Sequence, residues 1–229
     1  FRWVTSDSVL FRSEDGGHHW AEVLQYKGDP MAILDPGNGK LIAFFHYYWG
    51  GDKSYQIFIS EDDGLNWIKQ AHLNLPIIPS QFVTDRLGVI YIRGAGKVYL
   101  SNDLGKSWKL ATGYENLGSV YNLDFDESNR PLIYAVTNGT KGMFTMDSLG
   151  QVYQISDRKF QFFGQGRALS FDTREGVFFS EDFGSNWTNI TYNQPLDLNY
   201  RIPYFSSAFM SEDGYLYVSR KYEGIYKTV

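Results

Sequence analysis

The most unusual residues of the sequence are four consecutive side chains, His46, Tyr47, Tyr48 and Trp49. A strand with one buried face alternates apolar and polar residues, and this run does not follow that alternation. Rings presented together on a long loop could stack on sugars or contact another protein, because aromatic groups combine a large apolar area with polar edges. We therefore interpret the run as a candidate ligand-binding segment. Packing against an adjacent loop is the alternative.

Residue types that usually perform catalysis or bind metals do not form recognisable patterns here. The chain contains no Cys, which excludes disulfides, thiolate metal sites and Cys nucleophiles. Its four His show no metal-ligand spacing, and nothing resembles a Ser nucleophile elbow or a phosphate-binding loop. We assign no catalytic residue, no metal site and no cofactor.

Charge and hydropathy narrow the classes of partner. The formal net charge is -5, which gives no general attraction for nucleic acid or an anionic membrane. No window approaches the roughly 20 apolar residues that a membrane-spanning helix needs. We expect neither nucleic-acid binding nor membrane insertion.

An internal repeat then organises most of the chain. Four segments share the pattern Ser-x-Asp-x-Gly-x-x-Trp, and the last interval between them is about twice the others. The repeated residues are Ser13, Asp15, Gly17 and Trp20; Ser60, Asp62, Gly64 and Trp67; Ser101, Asp103, Gly105 and Trp108; and Ser180, Asp182, Gly184 and Trp187. A decayed copy fills the long interval, with Met146, Ser148, Gly150 and Tyr153 at the four positions.

Each segment lies between two β-type runs and is predicted to form a hairpin turn. Asp can accept hydrogen bonds from backbone N–H groups two residues on, Ser can do the same locally, and Gly permits a positive φ. The Trp would bury its ring where neighbouring sheets pack. These sixteen residues are therefore predicted to be structural.

A further β-type run precedes each of these hairpins, and another precedes most of those runs. The repeating unit therefore has four antiparallel strands, A to D, with the turn between C and D. Radial repetition of such sheets predicts an all-β fold, a β-propeller of about six blades forming one domain over residues 1–229. The first unit lacks strand A and the last lacks strand D. We expect roughly 15 further residues upstream to supply two strands, or seven or more blades if a longer stretch precedes the chain.

The four turns make the sequence resemble the Asp-box family, also called bacterial neuraminidase repeats. That family includes sialidases, other glycosidases, sortilin-type receptors and assembly factors of photosynthetic membranes. The resemblance implies a propeller whose boxes lie away from the ligand face. Ligands are then expected at the B–C and D–A connections, where the candidate binding residues are His46, Tyr47, Tyr48, Trp49, Arg93, Arg201, Arg220 and Tyr222.

Arg201 is chosen because Tyr200-Arg-Ile-Pro203 is similar to the Arg-Ile-Pro motif of sialidases, whose Arg grips a substrate carboxylate. In sialidases the motif precedes the boxes, whereas here it follows them, and the other sialidase residues are not identifiable by motif. Our leading hypothesis is a non-catalytic module of an exported or envelope protein that binds a glycan or a protein. A sialidase-type exo-glycosidase and a scaffold domain of a longer chain are the alternatives.

Overall fold

A computed structural model of the chain describes residues 2–6, 8–49, 52–70, 75–147, 149–172, 175–190, 205–211, 215–220 and 224–227. Every regular element in these ranges is a β-strand, and the strands form antiparallel sheets. By their internal contacts the residues form two compact units, Phe1–Phe125 and Asp126–Val229.

The first unit contains three sheets, each built from strands that follow one another in sequence. The sheets are β1 (Arg2–Ser6), β2 (Val9–Ser13) and β3 (Ala21–Gln25); β4 (Asp29–Gly37), β5 (Lys40–Trp49), β6 (Asp52–Ser60) and β7 (Ile68–Lys69); and β8 (Gln81–Thr84), β9 (Ile90–Gly94), β10 (Lys97–Ser101) and β11 (Lys109–Leu110). The unit ends with β12 (Ser119–Phe125), the first strand of a fourth sheet.

The second unit continues the same pattern. Its strands are β13 (Pro131–Thr137), β14 (Thr140–Met146) and β15 (Val152–Ser156); β16 (Phe160–Phe162), β17 (Ala168–Asp172), β18 (Gly176–Ser180) and β19 (Thr188–Asn189); and β20 (Phe205–Met210), β21 (Leu216–Arg220) and β22 (Gly224–Lys227). Among the described residues the first sheet has no strand A and the last has no strand D. The predicted four-stranded antiparallel unit is confirmed, with the box between the third and fourth strands.

The core of each unit lies between successive sheets. In the first unit, Ile42 and Phe44 of β5 pack with Ile90 of β9 in one buried apolar cluster. In the second unit, Leu132 of β13 and Phe160 of β16 share another. Burial on both sides of the central strands explains why β5 reads as a continuous apolar run rather than an alternating one.

The four boxes adopt one hydrogen-bonded turn. In the second box, Ser60 Oγ donates to Asp62 Oδ1 at 2.8 Å and accepts from Gly64 N at 2.8 Å. Asp62 Oδ1 also accepts from Asn66 N at 2.9 Å. The carboxylate therefore binds the N–H four residues on, whereas the sequence analysis predicted the N–H two residues on. The other three boxes repeat these bonds. The box Gly and the residue before it both have positive φ.

Three of the four box Trp residues occupy equivalent places. Trp67, Trp108 and Trp187 each pack in an apolar cluster that joins their own sheet to the preceding one. Trp20 differs in burial, since its side chain is 40% exposed, although its indole N–H donates to Gly17 O as that of Trp67 donates to Gly64 O.

The decayed copy has a polar clasp of a different kind, which the sequence reading missed. Asp147 Oδ1 accepts hydrogen bonds from Leu149 N and Gln151 N, both at 2.9 Å. The same clasp closes turns between strands A and B, where Asp85 and Asp126 hold the N–H groups two and four residues on. Each turn has Gly or Asn with positive φ at its fourth residue. The sheets of β8–β11 and β12–β15 therefore each have two Asp-clasped turns at the same end.

Candidate functional site

The β5–β6 hairpin is longer than the sheet that contains it. These strands have ten and nine residues, and they remain paired from Leu41↔Ser60 to Trp49↔Asp52. The neighbouring strand β4 follows β5 only as far as His46, and β7 pairs with β6 only at Phe58 and Ile59. Residues 47–49 and 52–54 consequently form a two-stranded extension, here called the ribbon, at the B–C end of the sheet.

The ribbon corrects one prediction. Tyr47, Tyr48 and Trp49 were expected in a long loop, but they lie in strand β5 opposite Ser54, Lys53 and Asp52. Tyr and Trp strongly favour extended backbone, and a paired partner strand lets consecutive aromatic residues continue the ladder. The Gly-Gly sequence between the strands has the length and composition that two-residue hairpin loops favour.

The base of the ribbon is built from packed rings. His46 and Tyr55 are cross-strand partners, and their rings stack with centroids 5.1 Å apart. Gly28 lies against this pair, where an added Cβ would come within 2.9 Å of His46 O. Tyr26 packs edge-on against Phe45 with a centroid distance of 5.5 Å. A ribbon on such a base is held by tertiary packing, which suits a binding element.

Tyr26, Gly28 and Tyr55 were not identified from the sequence. The signal for Tyr55 was available, because a hairpin centred on Gly50 and Gly51 places it opposite His46. No comparable local signal marks Tyr26 and Gly28, since they contact the ribbon base from the connection before β4.

Arg93 is half-buried and links three strands of the first unit. Its Nε donates to Gln81 Oε1 and its Nη1 donates to Val120 O, both at 3.1 Å. Gln81 in turn bridges to Leu123 of β12 through two hydrogen bonds of 2.7 and 3.0 Å. Burial lowers the pKa of the Arg93 guanidinium from its ordinary value. These hydrogen bonds join neighbouring strands, so Arg93 has a structural role. Its predicted role in binding a ligand stays a prediction.

The remaining candidates all belong to the second unit, and only one of them is described. Arg220 ends β21, where its backbone pairs with Phe205 and Gly224. Arg201 and Tyr222 lie outside the described residues. The sialidase alternative depends on Arg201 and therefore stays untested by the geometry.

The box carboxylates are occupied by their own turns. Hydrogen bonds from the side chain and backbone of Asn66 lower the pKa of Asp62 from 3.8 to about 2. The backbone N–H of His19 is the main cause that lowers the pKa of Asp15 to about 2. The oxygens of these carboxylates accept hydrogen bonds within their own turns, as expected for residues with a structural role.

Two kinds of site are absent from the described residues. They contain no group of three or more His, Asp or Glu side chains that could hold a metal ion. They also contain no helix of the length and hydropathy required to cross a bilayer.

Comparisons with known proteins identify the fold. No protein-family model and no curated protein matches the sequence. Among solved structures, "YCF48 bound to D1 peptide" is 13% identical, with 99% of this chain and 74% of that chain covered and a TM-score of 0.69. YCF48 from Cyanidioschyzon merolae is 12% identical, with 98% and 77% covered and a TM-score of 0.63. The chain is a β-propeller.

A third similar structure is the extracellular domain of a protein described as a one-component system from B. thetaiotaomicron. It is 12% identical and has a TM-score of 0.56, with 98% of this chain and 32% of that chain covered. The six sheets among the described residues agree with the predicted count of about six blades. Identities this low establish the fold alone, so membership of the Asp-box family rests on the box residues and stays a prediction.

Proposed function

We propose that this propeller is a non-catalytic binding module that takes an extended protein segment at the ribbon. The observation that carries the proposal is the extension of β5 and β6 three residue pairs beyond the pairing of β4 and β7. A two-stranded ribbon presents backbone N–H and C=O groups along its edges, and such edges pair with extended peptides.

The chemistry of the ribbon sequence suits this role. Tyr and Trp are enriched at protein interfaces, where they dominate binding energy when a partner covers them. Asp52 and Lys53 add one charge of each sign, so the extension favours neither a polyanion nor a polycation. The stacked base of His46 and Tyr55 supplies the fixed support that a docking strand needs.

The comparisons support a protein ligand over a glycan. One similar structure has a peptide bound, and another is an extracellular domain. We accordingly propose an exported or envelope location and keep glycan binding as the alternative, because aromatic rings also stack on sugars. A scaffold role within a longer chain is compatible with the same fold.

The test shortens the ribbon without changing its register. Deleting Tyr48, Trp49, Asp52 and Lys53 leaves Gly50-Gly51 between Tyr47 and Ser54. The Tyr47–Ser54 pair lies two positions from the Trp49–Asp52 pair, so both pairs have the same hydrogen-bonding type. Binding is measured on an immobilised library of extended peptides and on a glycan array. Leu87→Ser is the control. Leu87 is 81% exposed on the A–B turn between β8 and β9, in a different sheet from the ribbon and at the end opposite to its B–C connection.

The intact chain should bind a subset of the peptides with micromolar affinity. The shortened variant should lose at least tenfold in affinity, while Leu87→Ser should bind as the intact chain does. Equal peptide binding by the shortened variant would refute the ribbon site. Binding only on the glycan array would replace the protein ligand by a sugar. Hydrolysis of an aryl sialoside that Arg201→Ala abolishes would establish the sialidase alternative.

A further inference from the structure

A cleft opens within the second unit, between the sheet of β13–β15 and the sheet of β16–β19. Its volume is about 240 Å³. Leu132, Thr145 and Ile155 contribute from the first of these sheets, and Phe160 and Phe162 from the second. Tyr153, Arg130 and three residues of the last box, Asp182, Phe183 and Ser185, complete the lining.

The cleft exists because one side chain is short. Thr145 precedes the Ser position of the decayed box, and Arg12 and Ile59 hold the same place in the first two sheets. Arg12 is buried and its Nε donates to the backbone oxygen of Asp63, in the next box, at 2.9 Å. Ile59 belongs to the apolar cluster against which Leu104, of the third box, packs. A long side chain thus fills both of those interfaces, whereas Thr145 leaves space.

Thr145 also brings an unsatisfied polar group to the cleft. Its side chain is 1% exposed, and its Oγ1 makes no hydrogen bond to any described residue. Buried hydroxyl groups in folded proteins almost always have a partner, because leaving one unpaired costs about 1–3 kcal/mol. Thr145 Oγ1 is closed to water in the cleft, so a ligand hydroxyl would satisfy it by inserting between the side chains that cover it.

The Phe side chains in the walls of the cleft favour a ligand that carries an aromatic ring beside its hydroxyl. Phe160, Phe162 and Phe183 contribute rings, and Phe162 and Phe183 stack with centroids 5.5 Å apart. Tyr153 is 46% exposed, so the cleft is open to solvent on its side. An apolar cavity of roughly 150 Å³ accepts benzene. The larger volume here leaves room for one ring and a small substituent.

The charges at the cleft favour a neutral ligand. The Arg130 guanidinium is paired with Asp126 at 2.7 Å and lies over the Phe183 ring at 5.4 Å. Asp182 has its Oδ1 and Oδ2 occupied by hydrogen bonds from its own box. Neither charge is left uncompensated, so a charged ligand would lose hydration without gaining an ion pair.

We propose that this cleft binds a phenol group, with the ring packed against the Phe side chains and the hydroxyl hydrogen-bonded to Thr145 Oγ1. The site is distinct from the ribbon, which belongs to the first unit, and does not depend on the function proposed for it. The phenol can belong to a small molecule or to a Tyr side chain of a partner, since both present the same ring and hydroxyl.

The probes are p-cresol and toluene, which differ only in the hydroxyl, titrated into the intact chain and followed by ligand-observed NMR. We expect one equivalent of p-cresol to bind about fivefold more tightly than toluene, as one net hydrogen bond provides. Thr145→Val keeps the shape but leaves the cresol hydroxyl without a partner, so it should bind p-cresol no more tightly than toluene. Thr145→Leu fills the cleft and should bind neither, with a melting temperature equal to or above that of the parent.

Ile59→Val is the control, because it alters the equivalent position of another interface and should leave p-cresol binding unchanged. The proposal fails if the intact chain does not bind p-cresol at millimolar concentration, or if Thr145→Leu binds it as the parent does. It also fails if Thr145→Val still prefers p-cresol. Pentapeptides centred on Tyr or Phe distinguish a small-molecule ligand from a Tyr side chain of a partner protein. If the ligand is a partner's Tyr, the Tyr peptide should bind more tightly than p-cresol and the Phe peptide.

Discussion

Replacing Ser60 by Ala should destabilise the propeller by more than its small loss of volume suggests. Ser60 is fully buried, and its hydroxyl accepts from Gly64 N and donates to Asp62 Oδ1, each at 2.8 Å. The Ala variant leaves the buried Gly64 N–H without its acceptor, which costs about 1–3 kcal/mol. Loss of the bond to the partly exposed Asp62 adds a smaller cost, because water can replace the hydroxyl there. The free energy of unfolding should fall by about 1–3 kcal/mol.

The measurement is equilibrium unfolding in urea, followed by Trp fluorescence and circular dichroism. A lower midpoint with an unchanged slope would show that stability, rather than the compactness of the end states, has changed. Ser128→Ala is the matched control: Ser128 is exposed on an A–B turn, and its loss should cost less than about 0.5 kcal/mol. A loss below about 1 kcal/mol for Ser60→Ala would refute the assignment of the hydroxyl as the centre of the box.

Trp67→Ala should cost about 3–5 kcal/mol in the same assay, and Trp20→Ala less than half as much, because Trp20 is 40% exposed. Equal losses would contradict the difference in packing. Gly184→Ala combines a φ of 83° with a Cβ only 2.8 Å from a ring carbon on β16, so it should cost about 2–4 kcal/mol. Gly139→Ala has similar φ but open space, and about 1–2 kcal/mol is expected. Because the pKa of Asp62 is lowered to about 2, its contribution is complete above about pH 4 and is lost as the pH falls towards 2. Asp62→Asn should flatten that part of the stability profile, and an unchanged profile would contradict the lowered pKa.

Much of the fold could be predicted because its signals are local. The hydrogen bonds of a box join residues no more than four positions apart, so Ser, Asp and Gly at fixed spacing specify the turn by themselves. The strands on both sides follow from apolar and β-branched runs of ordinary length.

Other features depend on partners distant in the sequence. Consecutive aromatic residues are compatible with a loop or a strand, and only the pairing of Trp49 with Asp52 shows that the run continues β5. The clasp at Asp147 escaped the repeat alignment because it uses a residue beside the expected position.

The amino-acid sequence by itself determined the repeating unit of this protein, its turns and its all-β class, since these arise from short-range hydrogen bonds and periodicity. Only the tertiary structure decided where surfaces project and where space remains. The ribbon depends on how far neighbouring strands β4 and β7 extend along their partners. The cleft depends on the sizes of Thr145 and Phe183, which line it together although they are 38 positions apart in the sequence. Packing between such distant side chains has no local signature, because it depends on their combined volume and not on the preference of either one.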